Sequence, residues 1–300
     1  MKKSLVIIFL LVFSIILVSE TIIVEENIQQ AIDKAKDGDI IYLKAGTYKE
    51  NLSIVSKNLT LVGEEGAYIS YVGKDPKNIF NSSPTIYIEN SNVIIKNLEI
   101  GSVNSIGIGL LNSKISLSNV NMNLDNAYGV VCVADEEKES FLEVSNLSVE
   151  DVNYKSSSGK NVSLNFNSVG IMLSGDSMFV ANNIEMKGMK NGLILNNKMS
   201  YIYNSDFLEN ENVAIILSGQ QKFINNRFEL NVETFKVANS PEVELVGNVF
   251  KDNSYNFVIK KDDYDSYQNF RHFSGKIIGF SNILQSPEIL NESFGKYFWK

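Results

Sequence analysis

The chain has 300 residues, 44% of them hydrophobic, with a net charge of −8, one Cys and one His. That acidity argues against nucleic acid and anionic membranes as partners, and against polyanionic sugars unless a divalent cation intervenes. A single Cys excludes an internal disulfide, so stability has to come from a packed core.

In chain order, Lys2 and Lys3 precede a 14-residue apolar run, 5–18, broken only by Ser14. A charged start and a run too short for a comfortable membrane span read as a signal peptide. No small-residue cleavage site comes after it, so residues 1–20 are expected to be a cleaved signal or, failing that, a retained N-terminal anchor. Either way the folded part is expected to be secreted or periplasmic, with a membrane span only if that segment stays. Residues 27–36 then read as a short amphipathic helix, with Ile28, Ala31, Ile32 and Ala35 on one face. Its expected role is to plug one end of a stacked solenoid.

The body of the chain is a repeat. A strand phrase, small–apolar–x–apolar, starts at Thr85, Gly107, Gly129, Gly170, Gly192, Ala214, Thr234 and Asn256, in steps of 22, 22, 41, 22, 22, 20 and 22. A fixed period of this size means stacked supersecondary units, and the long step is one coil carrying an insertion. Period-two runs such as Val93-x-Ile95 and Ile115-x-Leu117 give two or three short strands per coil. Strands joined by bends in so short a loop must pair with their equivalents one coil on. The expectation is an all-β chain: a right-handed, single-stranded parallel β-helix over 21–260, with coils running from residue 40. Residues 261–300, with Phe294, Tyr297, Phe298 and Trp299, are expected to cap the C-terminal end. Cys132 falls on an apolar phrase and reads as a small core residue.

A second phrase runs in step: an Asn with an apolar residue three positions later, at Asn58/Leu61, Asn97/Ile100, Asn119/Met122, Asn146/Val149, Asn183/Met186, Asn204/Phe207 and Asn225/Phe228, ending with Gly247/Phe250. Asn and Gly both tolerate the left-handed backbone of a sharp bend. The column is expected to be an internal ladder of amides satisfying buried polar groups. Three segments, 73–84, 135–140 and 154–168, break the rhythm and read as surface loops, the last being the longest.

The segment 28–63 carries a resemblance: the helix, the Gly38-Asp39 turn, Gly46-Thr47-Tyr48-x-Glu50 and Lys57-Asn58-Leu59-Thr60-Leu61-x-Gly63. These resemble the opening of parallel β-helix proteins of the pectin lyase-like superfamily, and with the repeat the likeness covers about residues 27–260. The resemblance implies the fold, while the superfamily holds lyases, hydrolases, esterases and proteins without known activity. Gly46-x-Tyr48-x-Glu50 looks like the first block of pectin methylesterases. The Gln-Asp-Thr, Asp-Phe-Ile-Phe-Gly and Arg-Pro-Trp blocks of that family have no counterpart here. The polygalacturonase blocks are missing too, and Arg227 and Arg271 are the only arginines a pectate lyase base could come from.

Among chemical candidates, the residues two places after each bend Asn form an outward row: Glu99, Asn121, Ser148, Glu185, Asp206, Arg227. Parallel pairing stacks successive members about 4.8 Å apart. Glu185, Asp206 and Arg227 are therefore the catalytic candidates, and Glu185 with Asp206 the metal candidates. Two close carboxylates could share a proton or bind Ca²⁺, and Arg could hold a uronate. The plainer interpretation is a solvated ion-pair row. Lone His272 lies beyond the repeat, and Asp262-Asp263-x-Asp265 lacks the Gly and distant Glu of a calcium loop, so both read as structural. The function expected is an exported, monomeric, non-catalytic β-helix, without a cofactor unless Ca²⁺ binds, that binds or organises a polysaccharide or envelope component. The alternative is a polysaccharide lyase, hydrolase or esterase with an unrecognised site.

Overall fold

A computed structural model describes residues 19–74, 83–135, 137–153, 168–259 and 276–284. The signal or anchor expected at 1–20, most of the longest insertion, His272, Asp262, Asp263, Asp265 and the aromatic tail lie almost wholly outside the described residues.

Every strand pairing among the described residues is parallel, and each strand pairs with its equivalent one coil away. The coils stack into a solenoid with three faces. The first face includes β7 (Ile86–Glu89), β9 (Ile106–Leu111) and β11 (Tyr128–Val133). Long strands such as β8 (Asn92–Val103), β10 (Lys114–Asp125) and β12 (Ser140–Asp151) turn a corner within themselves, so their first halves lie on the second face and their second halves on the third. The expected right-handed parallel β-helix is what forms.

The core lies inside the coils, one column per inward position. Ile100, Met122, Val149, Met186, Phe207, Phe228 and Phe250 stack in register and are all buried. The column passes from aliphatic to aromatic, and Phe207, Phe228 and Phe250 stack ring on ring, with centroids 5.3 and 4.9 Å apart. Such rings add to their burial a further gain of about 0.5–1.5 kcal/mol per pair. Cys132 sits in the column between Leu110 and Leu173, and burial pushes its thiol up to about 12.

Two features of the repeat differ from expectation. Leu193 pairs with Ala214, and Ala214 with Phe235, so the in-step phrase starts at Val213 rather than Ala214. The residue is shed at the first-to-second corner, where the register shifts between Gly175 and Met178 and the inward phase resumes at Phe179 opposite Ser200. The coils also start ahead of residue 40, inside the expected 21–260, with β1 (Thr21–Val24) paired to β2 (Ile40–Leu43), and they run past 260, where β23 (Lys276–Phe280) and β24 (Ile283–Leu284) continue the second and third faces.

The corners explain the Asn column and correct its expected burial. Asn97, Asn119, Asn146, Asn183, Asn204 and Asn225 all have φ between 52° and 56°, and Gly247 has φ 63°. They do form a ladder, with Asn119 Nδ2 donating to Asn97 Oδ1 at 3.0 Å and Asn183 Nδ2 to Asn146 Oδ1 at 2.7 Å, but all of these Asn residues are exposed. Asn204 leaves the ladder and donates to Asn182 Oδ1 instead. Asn58 belongs to another position altogether, opposite Asn92.

The buried ladder begins one residue later. The backbone N–H of Ser205 donates to Asn226 Oδ1, that of Asn226 to Asn248 Oδ1, and that of Asn248 to Asn282 Oδ1, each at 2.9 Å. Asn210, Asn231 and Asn253 repeat the device at the third-to-first corner. Ser91, Ser113 and Ser140 do so with hydroxyls at the first-to-second corner. A left-handed residue turns the chain outward, and the next side chain points in to satisfy the freed backbone groups.

One helix, α1 (Ile28–Lys34), closes the N-terminal end, with Ile28, Ala31, Ile32 and Ala35 buried against the first coil. The first-coil motif holds it there. Glu50 accepts the Ile28 and Gln29 N–H groups at 3.1 and 3.2 Å at the helix start. At its end, Lys57 Nζ donates to the carbonyls of Ile32, Asp33 and Ala35 at 2.6–3.1 Å. Tyr48 Oη lies 2.8 Å from Lys44 O, within the same coil.

Candidate functional site

The third face carries the row read from the sequence, in the expected register: Ser148 opposite Glu185, Glu185 opposite Asp206, Asp206 opposite Arg227. The Arg227 guanidinium grips both oxygens of Asp206, Nε to Oδ1 at 2.9 Å and Nη2 to Oδ2 at 3.2 Å. Its Nη1 reaches Glu229 Oε2 at 3.1 Å, and Glu229 Oε1 in turn meets Lys251 Nζ at 2.6 Å. The hydrogen bond to Asp206 holds the Arg227 proton more tightly than usual. Arg227 and Asp206 are nearly half exposed, at 47% and 42%. In that setting the Arg227–Asp206 pair is worth at most about 1 kcal/mol. The arrangement is a chain of surface ion pairs in which Asp206 is already occupied, leaving Glu185 as the open carboxylate of the two. Among the described residues, no three His, Cys, Asp or Glu side chains come together as a metal-binding group.

The second face carries a groove that the sequence did not single out. It has a volume of about 430 Å³ and crosses β5 (Asn58–Gly63), β8, β10 and β12, running across the strands and so along the solenoid. Its floor is the middle outward row, Thr60, Ile94, Ser116 and Glu143, each opposite the next. Along one side stand Asn58, Asn92, Lys114 and Phe141, again in register. Asp37 pins Asn58, accepting its N–H and its Nδ2 at 2.9 Å each, and Asn58 Oδ1 accepts the Asn92 N–H. Ile94 is 39% exposed and Phe141 half-buried, both at positions where a soluble strand ordinarily shows a polar residue. Lys114 and Glu143 are exposed, one coil apart, and neither makes an ion pair among the described residues. The groove thus combines apolar surface with amides, hydroxyls and one charge of each sign. The signal that could have found it is the outward phase of Ile94 and Phe141.

By sequence, the chain matches no family model and no curated protein. By structure, it is similar to an alginate lyase from Paenibacillus sp. str. FPU-7, with a TM-score of 0.66 at 14% identity over 94% of this chain and 98% of that one. What the two share is the parallel β-helix fold. An arginine mutant of a PL6 family alginate lyase gives a TM-score of 0.54 at 14% identity, over 89% of this β-helix and 40% of that chain. A pectin methylesterase from Erwinia chrysanthemi gives 0.52 at 13% identity, over 94% of this β-helix and 92% of that chain. At such identities the likeness is one of fold. In this β-helix the Gly46-x-Tyr48-x-Glu50 motif that looked like an esterase block ties the helix cap to the first coil.

Proposed function

We propose that this β-helix is an exported protein, secreted or periplasmic, that binds an extended polysaccharide in the groove of its second face without turning it over. The observation that carries the reading is the groove itself: four coils present an unbroken outward row, with an exposed aliphatic and an aromatic side chain among hydrogen-bonding groups. Sugar rings have apolar faces and polar edges, and such a mixed concave surface suits them. The choice of a polysaccharide also draws on the structural neighbours, which are named for alginate and pectin. Among the described residues no helix is long and apolar enough to cross a membrane.

The enzyme reading keeps one observation in its favour. Asp151, fully buried where the third face ends, has one carboxylate oxygen without a hydrogen-bond partner. Burial raises its pKa, and nearby Asp125 and Glu150 add to the rise, against the Ser168 hydroxyl and the Asn153 N–H. A raised pKa is one property a general acid needs, and this carboxyl would have to be uncovered to meet a substrate. Affinity electrophoresis in gels containing a panel of glycans, run beside product-release assays on alginate, pectate and methylated pectin, tests both readings. Retardation by a glycan that is lost in Phe141→Ala, without product release, supports the proposal. Product release that disappears in Asp151→Asn or Asp206→Asn overturns it.

A further inference from the structure

We infer that the groove takes a polymer of N-acetylated amino sugars rather than of uronic acids, an inference that rests on the groove being a polysaccharide site. A polyuronate brings one carboxylate per sugar, and each needs a cation or a cluster of donors when it leaves water. The groove offers a single cation, Lys114, and sets Glu143 one coil away in the same trough. The protein around it carries a net charge of −8, so the long-range field repels a polyanion as well. The occupant that complements one positive and one negative group is neutral overall.

The apolar part of the groove narrows the choice among neutral polymers. Ile94 lies between Thr60 and Ser116 on the floor, and Phe141 stands beside Lys114 on the flank. A plain glucan has only ring faces to lay on them. An acetamido group has a methyl for Ile94 and Phe141, an N–H for the Glu143 carboxylate, and a carbonyl oxygen for the Asn92 amide or the Lys114 ammonium. Each of its three parts thus finds a matching side chain within the groove lining. A site built to bond such a group discriminates strongly against analogues that lack it, because its own polar atoms are then left without partners.

Isothermal titration of the full chain compares four hexasaccharides: an N-acetylglucosamine oligomer, its de-N-acetylated form, a cello-oligosaccharide and a galacturonate oligomer. The N-acetylated oligomer is expected to bind at least tenfold tighter than each of the others. Glu143→Gln and Ile94→Thr, both surface changes on β12 and β8 that leave the core intact, are expected to weaken it about tenfold. Phe141→Leu, which removes the ring and shrinks the apolar surface, is expected to do the same. Tighter binding of the galacturonate oligomer, lost in Phe141→Leu, overturns this inference and leaves the polysaccharide site standing. Equal binding of the cello- and N-acetylated oligomers also overturns it. No binding of any of the four, with native stability of the parent, removes both readings.

Discussion

Asn225 and Asn226 are neighbours of the same chemical kind, yet one is spent on backbone geometry and the other on buried hydrogen bonds. Asn225 sits exposed at φ 55° and turns the corner. Asn226 is buried, and its side chain accepts the Ser205 N–H while donating to Ile202 O and Asn248 Oδ1. Asn226→Leu should therefore cost about 1–3 kcal/mol in urea denaturation, because the Ser205 N–H and the Ile202 carbonyl, both on the coil before, lose their buried partner. Asn204→Leu should cost only the left-handed strain of a branched side chain, about 1–2 kcal/mol, and Asn204→Gly close to nothing. Equal losses for Asn204→Gly and Asn226→Leu would contradict the assignment. The sequence shows the bend column clearly because it is Asn from coil to coil. The buried ladder is hidden because Leu98, Val120, Leu147 and Ile184 fill its position in the coils nearer the N-terminus, where the corner needs no inward amide. Asp151 supplies a pH test at the same scale. Its pKa is raised in the folded state, so the native chain holds that proton more tightly than the unfolded one, whose Asp titrates near about 3.9. Stability from this group is then greatest below the unfolded value and falls as pH rises through the folded one. Asp151→Asn is expected to melt above the parent at neutral pH, with the gap closing toward pH ~3. A parent that melts higher at neutral pH would show that the carboxylate is needed in its charged form.

At the scale of the element, the repeat was legible wherever inward positions recur, and the one-residue slip at Ala214 was not. A small residue can occupy either phase, and Val213 and Ala214 are both buried, so composition alone does not choose between them. The glycine column tells why the phrase begins with a small residue. A Cβ built on Gly170 would stand 2.5 Å from Gly192 O and 3.0 Å from Met186 Sδ. Gly170→Ala should push coils apart and cost about 1–3 kcal/mol, read from the shift in urea midpoint. Phe228→Ala, which opens a hole between two stacked rings, should cost about 3–5 kcal/mol. By contrast Arg227→Ala should cost only about 1 kcal/mol, since Asp206 is nearly half exposed and screened and Glu229 keeps Lys251 as its partner. The third-face row was legible as a row because register is dictated by the period. The groove was not, because its floor draws on residues from four coils whose outward side chains obey no pattern of their own.

For the whole molecule, a solenoid transmits stability only between neighbouring coils, so its ends decide whether the stack holds. The N-terminal end would otherwise present open strand edges and an apolar interior. The helix α1 is too short to be stable alone and depends on what holds it. It is capped at its start by Asn27 and Glu50 and at its end by Lys57, and both charged residues come from the coil it covers. Cap and first coil are therefore one cooperative unit. Lys57→Met retains the aliphatic stem but removes three bonds to helix carbonyls, and should cost about 1.5–3 kcal/mol, the range for hydrogen bonds to charged groups. The loss should be local: amide exchange in 28–35 and in β2 should quicken by an order of magnitude or more, while the Phe-lined coils from β15 (Asp206–Leu208) onward keep their protection. Lys57→Arg, which keeps the charge, should fall between parent and Lys57→Met. Uniform loss of protection along the chain would mean that the solenoid unfolds as one block and the cap has no unit of its own. Unchanged exchange in 28–35 would mean that the apolar face of Ile28, Ala31 and Ile32 holds the helix without its end bonds.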